Sequence, residues 1–151
     1  MASSFDDIME MGMDSVEDLP PLGVPPTGHY NFEVTASREA RENDGSEFIK
    51  FSYTVTAVNE VANPDEQDQA AVGQNFVEFF SPLKKDGTTN EWGLKFLKQA
   101  MQPYALQFGG TSFTEVLASI DKVSIAASLT RKKDKKDQDR FNFSLKDVII
   151  L

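Results

Sequence analysis

Six consecutive residues, Asn75-Phe76-Val77-Glu78-Phe79-Phe80, combine three phenylalanine rings with one carboxylate. In an extended strand successive side chains point to opposite faces, so Phe76, Glu78 and Phe80 share one face and Val77 and Phe79 the other. Rings held at the surface of a strand do one kind of chemistry well: they offer flat apolar faces on which unpaired nucleobases stack, whatever the base. A carboxylate is costly to bury, so Val77 and Phe79 are expected inside. That leaves Phe76 and Phe80 as stacking candidates, joined by Phe48 on a neighbouring strand.

A stacking surface also needs cations to follow the phosphates. Lys50 lies on the strand that carries Phe48, and Lys84 and Lys85 follow shortly after Phe80. The densest basic run is Arg131-Lys132-Lys133-Asp134-Lys135-Lys136-Asp137-Gln138-Asp139-Arg140, which reads as a charged hairpin loop. Its candidate phosphate contacts are Arg131, Lys132, Lys133, Lys135, Lys136 and Arg140. Three aspartates dilute them, and a merely solvated loop is the competing reading. Arg38 and Arg41 close an earlier hairpin.

Catalysis finds no comparable constellation. There is no cysteine, which excludes thiolate nucleophiles and thiolate metal sites, and His29, the only histidine, sits beside Gly28 at a strand entrance and is expected to be structural. No phosphate-cradling glycine loop or dinucleotide fingerprint occurs. The carboxylates cluster near the N-terminus and around Asp65 to Asp68 rather than in a rigid cleft. A non-enzymatic binder with no cofactor and no metal is expected.

The elements that must hold these residues are mostly strands. Tyr30, Phe32, Val34 and Ala36 alternate with polar residues, and after the turn Asn43-Asp44-Gly45-Ser46 a second alternation puts Ile49, Phe51, Tyr53, Val55 and Ala57 on one face. Gln74 to Ser81 reads as a third strand. Trp92, Phe96, Leu97, Ala100, Met101 and Tyr104 recur at helical spacing behind the N-cap candidate Asn90, with Pro103 marking a kink or an end and Trp92 expected as a core anchor. A short helix capped by Thr111 or Ser112 follows, then a fourth strand at Val123 to Leu129 and a fifth from Phe141. The order predicts a mainly β fold, a five-stranded OB-type antiparallel barrel with a helix between strands 3 and 4. A generic α+β sheet with a helix on one face would give the same string.

The chain has 151 residues and a net charge of −9. Asp6, Asp7, Glu10, Asp14, Glu17 and Asp18 precede any base and contribute −6, so the remainder carries −9 less −6, or −3, and holds every Lys and Arg. Binding an anion requires a local positive surface, not a positive total. Residues 1–27 read as an acidic, proline-rich flexible tail and residues 28–151 as the folded domain. Phe5-Asp6-Asp7-Ile8 mixes acid and hydrophobe as a docking tip for partner proteins would, and a helical turn around Asp6 to Met13 could form on contact. The tail could equally occupy a basic groove or act only as a solubilising leader. No apolar run is long enough to span a membrane and no basic-then-apolar leader opens the chain, so a cytoplasmic protein is expected.

Five segments, in order, give the chain a resemblance to phage-encoded OB-fold single-stranded-DNA-binding proteins. They are Pro25-Pro26-Thr27-Gly28-His29-Tyr30-Asn31-Phe32-Glu33-Val34, Phe48-Ile49-Lys50-Phe51, Asn75-Phe76-Val77-Glu78-Phe79-Phe80, Trp92-Gly93-Leu94-Lys95-Phe96-Leu97-Lys98 and Asn142-Phe143-Ser144-Leu145-Lys146-Asp147. The resemblance covers about residues 20 to 151. It implies sequence-independent binding of single-stranded DNA in phage replication, recombination or repair, in the host cytoplasm, with replication or recombination proteins as partners. The chain departs from the pattern in carrying its acidic tail in front and ending on the apolar Val148-Ile149-Ile150-Leu151. The rival class is a non-catalytic structural or protein-interaction module working through the acidic tail; an RNA- or oligosaccharide-binding barrel is a third reading.

Overall fold

A computed structural model describes residues 4–15, 23–136 and 141–151. Five strands form one antiparallel sheet in the order β3-β2-β1-β4-β5. They are β1 (Gly28–Ala40), β2 (Glu47–Val61), β3 (Asn75–Phe80), β4 (Val123–Lys133) and β5 (Phe141–Ile150). Helices α2 (Glu91–Phe108) and α3 (Phe113–Ser119) lie between β3 and β4, and a short α1 (Phe5–Glu10) precedes the sheet. The protein is therefore mainly β.

The alternations in β1 and β2 sort their side chains. Tyr30, Phe32, Val34, Phe51, Tyr53 and Val55 are all buried, on the inner face covered by Leu97, Met101 and Tyr104 of α2 and Val116 of α3. Every strand pairing is antiparallel, so β3 and β5, the two ends of the order, run parallel to each other. The sheet curls until those ends meet through their side chains: the Phe143 ring of β5 lies 4.9 Å from Phe76 of β3, edge to face. No backbone ladder joins them among the described residues.

Helix α2 passes through Pro103 instead of stopping there. A proline inside a helix costs ~3 kcal/mol. Met101 and Tyr104, on either side of it, are buried, and each such side chain returns about 1.5–3 kcal/mol, enough to carry the helix on. It ends at Gly109, whose φ of 82° suits a glycine and whose N–H donates to the Ala105 carbonyl at 2.9 Å. The cap expected at Asn90 is present, accepting from the Gly93 N–H, and of Thr111 and Ser112 it is Ser112 that caps α3, accepting from the Glu115 N–H.

Two boundaries differ from expectation. Strand β4 extends to Lys133, which pairs with Phe141, so Arg131, Lys132 and Lys133 are strand residues and not loop. Pro25 and Pro26, read as part of the tail, are fully buried, and the Tyr30 hydroxyl donates to the Pro26 carbonyl. By contrast α1 has no buried residue and, among the described residues, packs against no other helix or strand. Among the described residues no helix is long and apolar enough to cross a membrane.

Candidate nucleic-acid interface

Strand β3 enters the sheet with the opposite parity to the one anticipated. Phe76 and Phe80 are 6% and 8% exposed, whereas Phe79 is 57% and Val77 39% exposed. Phe76 stacks on Tyr53 at 5.1 Å, and Phe80 meets Phe51 edge to face at 5.3 Å. Both rings are therefore core, and neither can present a face to a base. The assumption that failed concerned Glu78. It points inward with them, and the Tyr53 hydroxyl donates to its Oε1 at 3.0 Å. Burial pushes the Glu78 carboxyl above its ordinary range, partly offset by that hydrogen bond. A protonatable carboxyl with a phenol partner is far cheaper to bury than an orphaned carboxylate.

The outer face of the same strands holds the usable rings. Phe48 of β2 and Phe79 of β3 meet edge to face with centroids 5.4 Å apart, and the Arg41 guanidinium sits 4.9 Å above Phe48. Lys50 is the cross-strand partner of Phe79 and lies 3.8 Å from Glu39 of β1. The β1–β2 turn closes over this end: Asp44 is held below its ordinary range chiefly by hydrogen bonds from Ser46, and further by the nearby charges of Arg41 and Lys85. Lys84 and Lys85 are exposed in the loop after β3. Of the anticipated contacts, Phe48, Lys50 and Lys85 are thus brought to the same end of the sheet, and Lys84 adjoins them in sequence.

The basic hairpin is not brought there. Leu129 of β4 pairs with Gly28 at the start of β1, whereas Phe48 pairs with Glu39 near its end. Eleven positions of strand separate them, roughly 36 Å at ~3.3 Å per residue along a straight strand. Lys132, Lys133, Lys135 and Lys136 are exposed at that other end. Arg131 is not a surface cation at all. Its side chain is 7% exposed and pairs with Glu66 at 2.7 Å. It also donates to the Val24 carbonyl and to Gln69, and lies 4.1 Å over the Phe141 ring. Arg140 lies outside the described residues. Against protein-family models, curated proteins and solved structures alike, the chain has no match.

Phe79, expected inside, faces out; Arg41, expected only to close the first hairpin, lies over Phe48; and Trp92 was misread. Far from anchoring the core, Trp92 is 70% exposed, with Phe96 beside it at 54%. At the N-terminus, Phe5 and Ile8 are 74% and 52% exposed and share one side of α1 at i, i+3 spacing, with Asp6 and Asp7 in its first turn. Among the described residues no group of three or more His, Asp or Glu is placed to hold a metal ion.

Proposed function

We propose that this chain is a non-catalytic binder of single-stranded DNA, gripping it on the outer face of β1, β2 and β3. The observation that carries the reading is the Phe48–Phe79 pair on the outer face, an exposed Phe79 against a half-buried Phe48, with Arg41 over Phe48 and Lys50 opposite Phe79. Such a pair gives up water readily to a nucleobase, and the adjacent cations meet the phosphates on either side of it. The strand order, with a helix after β3 and parallel β3 and β5 touching through Phe76 and Phe143, supports reading the fold as an OB-type barrel left unzipped between those strands. A role in phage replication, recombination or repair accords with the sequence resemblance. The exposed acid-and-apolar surface of α1 suits a protein partner of that machinery.

Titrating a fluorescent dT oligonucleotide and the corresponding duplex at two salt concentrations tests the proposal. Single-strand binding that weakens as salt rises is expected, with the duplex far weaker. Phe79→Ala and Phe48→Ala should each cost about 1–3 kcal/mol of affinity, the worth of one stacked base. Binding that ignores salt, or that survives loss of both rings, would overturn it.

A further inference from the structure

Trp92 and Phe96 lie one helical turn apart on α2 with ring centroids 6.3 Å apart, and Lys95 Nζ stands 5.1 Å from the Trp92 centroid. Both rings are more than half exposed. The composition repeats that of the sheet platform, two neighbouring rings with a cation over one of them, and here both rings are exposed. The start of the helix is fixed against the end of β3. Gly93 lets its opening turn press against the end of β3, because a Cβ there would stand 2.4 Å from the Ser81 carbonyl oxygen. Asn90 ties the same point, its side-chain amide donating to that carbonyl at 3.0 Å. Phe79 and Phe96 consequently line one cleft, of about 490 Å³, between β3, β5 and α2, with Lys146 also on its wall.

We propose that Trp92 and Phe96, with Lys95, form a second stacking platform for single-stranded DNA. The strand leaves the sheet at Phe79, crosses the cleft and continues onto α2. The inference rests on the binding face assigned above and extends it to a helix that the usual sheet-borne groove would not include. Charge complementarity selects the occupant: an apolar protein surface would gain little from the lysine over the indole, whereas a base with its phosphate uses both ring and cation.

Trp92 is the only tryptophan of the chain, so its emission reports on this platform alone. The full-length protein would be titrated with 5′-labelled dT oligonucleotides of about 4 to 16 nucleotides, the range of site sizes for one such fold. Label anisotropy follows binding, and indole emission follows stacking. The shortest strands should bind without quenching Trp92, and strands above a threshold length should quench it and bind more tightly. Trp92→Ala should remove about fivefold or more of the affinity for long strands and leave the shortest unchanged, whereas Trp92→Phe should retain most of it. Long strands that bind by anisotropy but leave the indole unquenched, or that bind Trp92→Ala undiminished, overturn the second platform while leaving the sheet platform standing. Absence of binding at every length overturns both.

Discussion

Glu78 shows how one side chain can hold a fold and tune it at once. Its carboxyl faces the inner ring cluster, takes a hydrogen bond from Tyr53 and has a pKa raised by burial. Tyr53 is itself raised, by burial first and by the neighbouring carboxyl second. The folded protein therefore holds the Glu78 proton more tightly than the unfolded chain does. That contribution is complete below the ordinary carboxylate range and is lost as pH rises through the raised value. Glu78→Gln keeps an acceptor for the phenol and removes the ionisation. In urea melts at a pH near the ordinary carboxylate range and at about pH 8, the parent should lose stability between the two while the variant should not, leaving the variant ahead at the higher pH. An unchanged slope would assign the titration to another group. Arg131 is the second residue whose part is architectural: it ties together the entry to β1, the 3-10 turn Pro64–Gln69 and the ring of Phe141. Arg131→Ala should cost about 2–3 kcal/mol of unfolding free energy, less than a fully buried pair because Glu66 is one-third exposed, and Arg131→Lys should recover only part of it. The salt dependence of DNA binding should not change in either variant; a flattened slope would return Arg131 to the interface.

Strand β3 and helix α2 are the two elements that decide where rings face water. In β1 and β2 one face is apolar at nearly every position, so period two alone sorts them. β3 has phenylalanine on both faces, and period two leaves two answers. What selects between them is the Tyr53 hydroxyl, which lies across the β2–β3 ladder from Glu78 and is invisible to any local pattern. With that partner available, burying two phenylalanines outweighs burying one phenylalanine and a valine. Phe80→Ala should accordingly lose about 3–5 kcal/mol of stability, and Phe79→Ala no more than about 0.5 kcal/mol, in paired denaturant melts. Equal losses would mean that Phe79 is core as well. In α2 the apolar positions cover more of the circumference than the sheet can accept. Leu97, Met101 and Tyr104 are buried, and Trp92 and Phe96 are rotated off that face. The sequence did hold a pointer, since Gly93 precedes Leu97 and Met101 by four and eight residues and marks the side of close approach. The basic hairpin was legible as charge and not as position. Its place depends on β4 pairing with only the first part of β1, a long-range register set by core packing.

At the scale of the whole chain, a net charge of −9 coexists with a surface proposed to bind a polyanion, and the reconciliation is spatial. Six of the acids lie before Pro20, and α1, which holds three of them, packs on no other helix or strand among the described residues. On the proposed binding face, acids tethered to the domain are expected to compete with DNA for the Arg41, Lys50 and Lys85 region at an effective concentration set by the length of chain between them. Competition of that kind is electrostatic and must fade with ionic strength, because the Debye length shrinks from ~10 Å at 0.1 M salt to ~3 Å at 1 M. Removing residues 1–19 should therefore tighten dT binding by about threefold or more at low salt, and the truncated and full-length proteins should converge as salt rises. The unfolding midpoint should stay within the error of the full-length protein, since the segment has no described buried side chain. Affinity that is the same with and without the segment at every salt concentration would exclude competition and leave α1 only its exposed Phe5 and Ile8 with which to engage a protein partner.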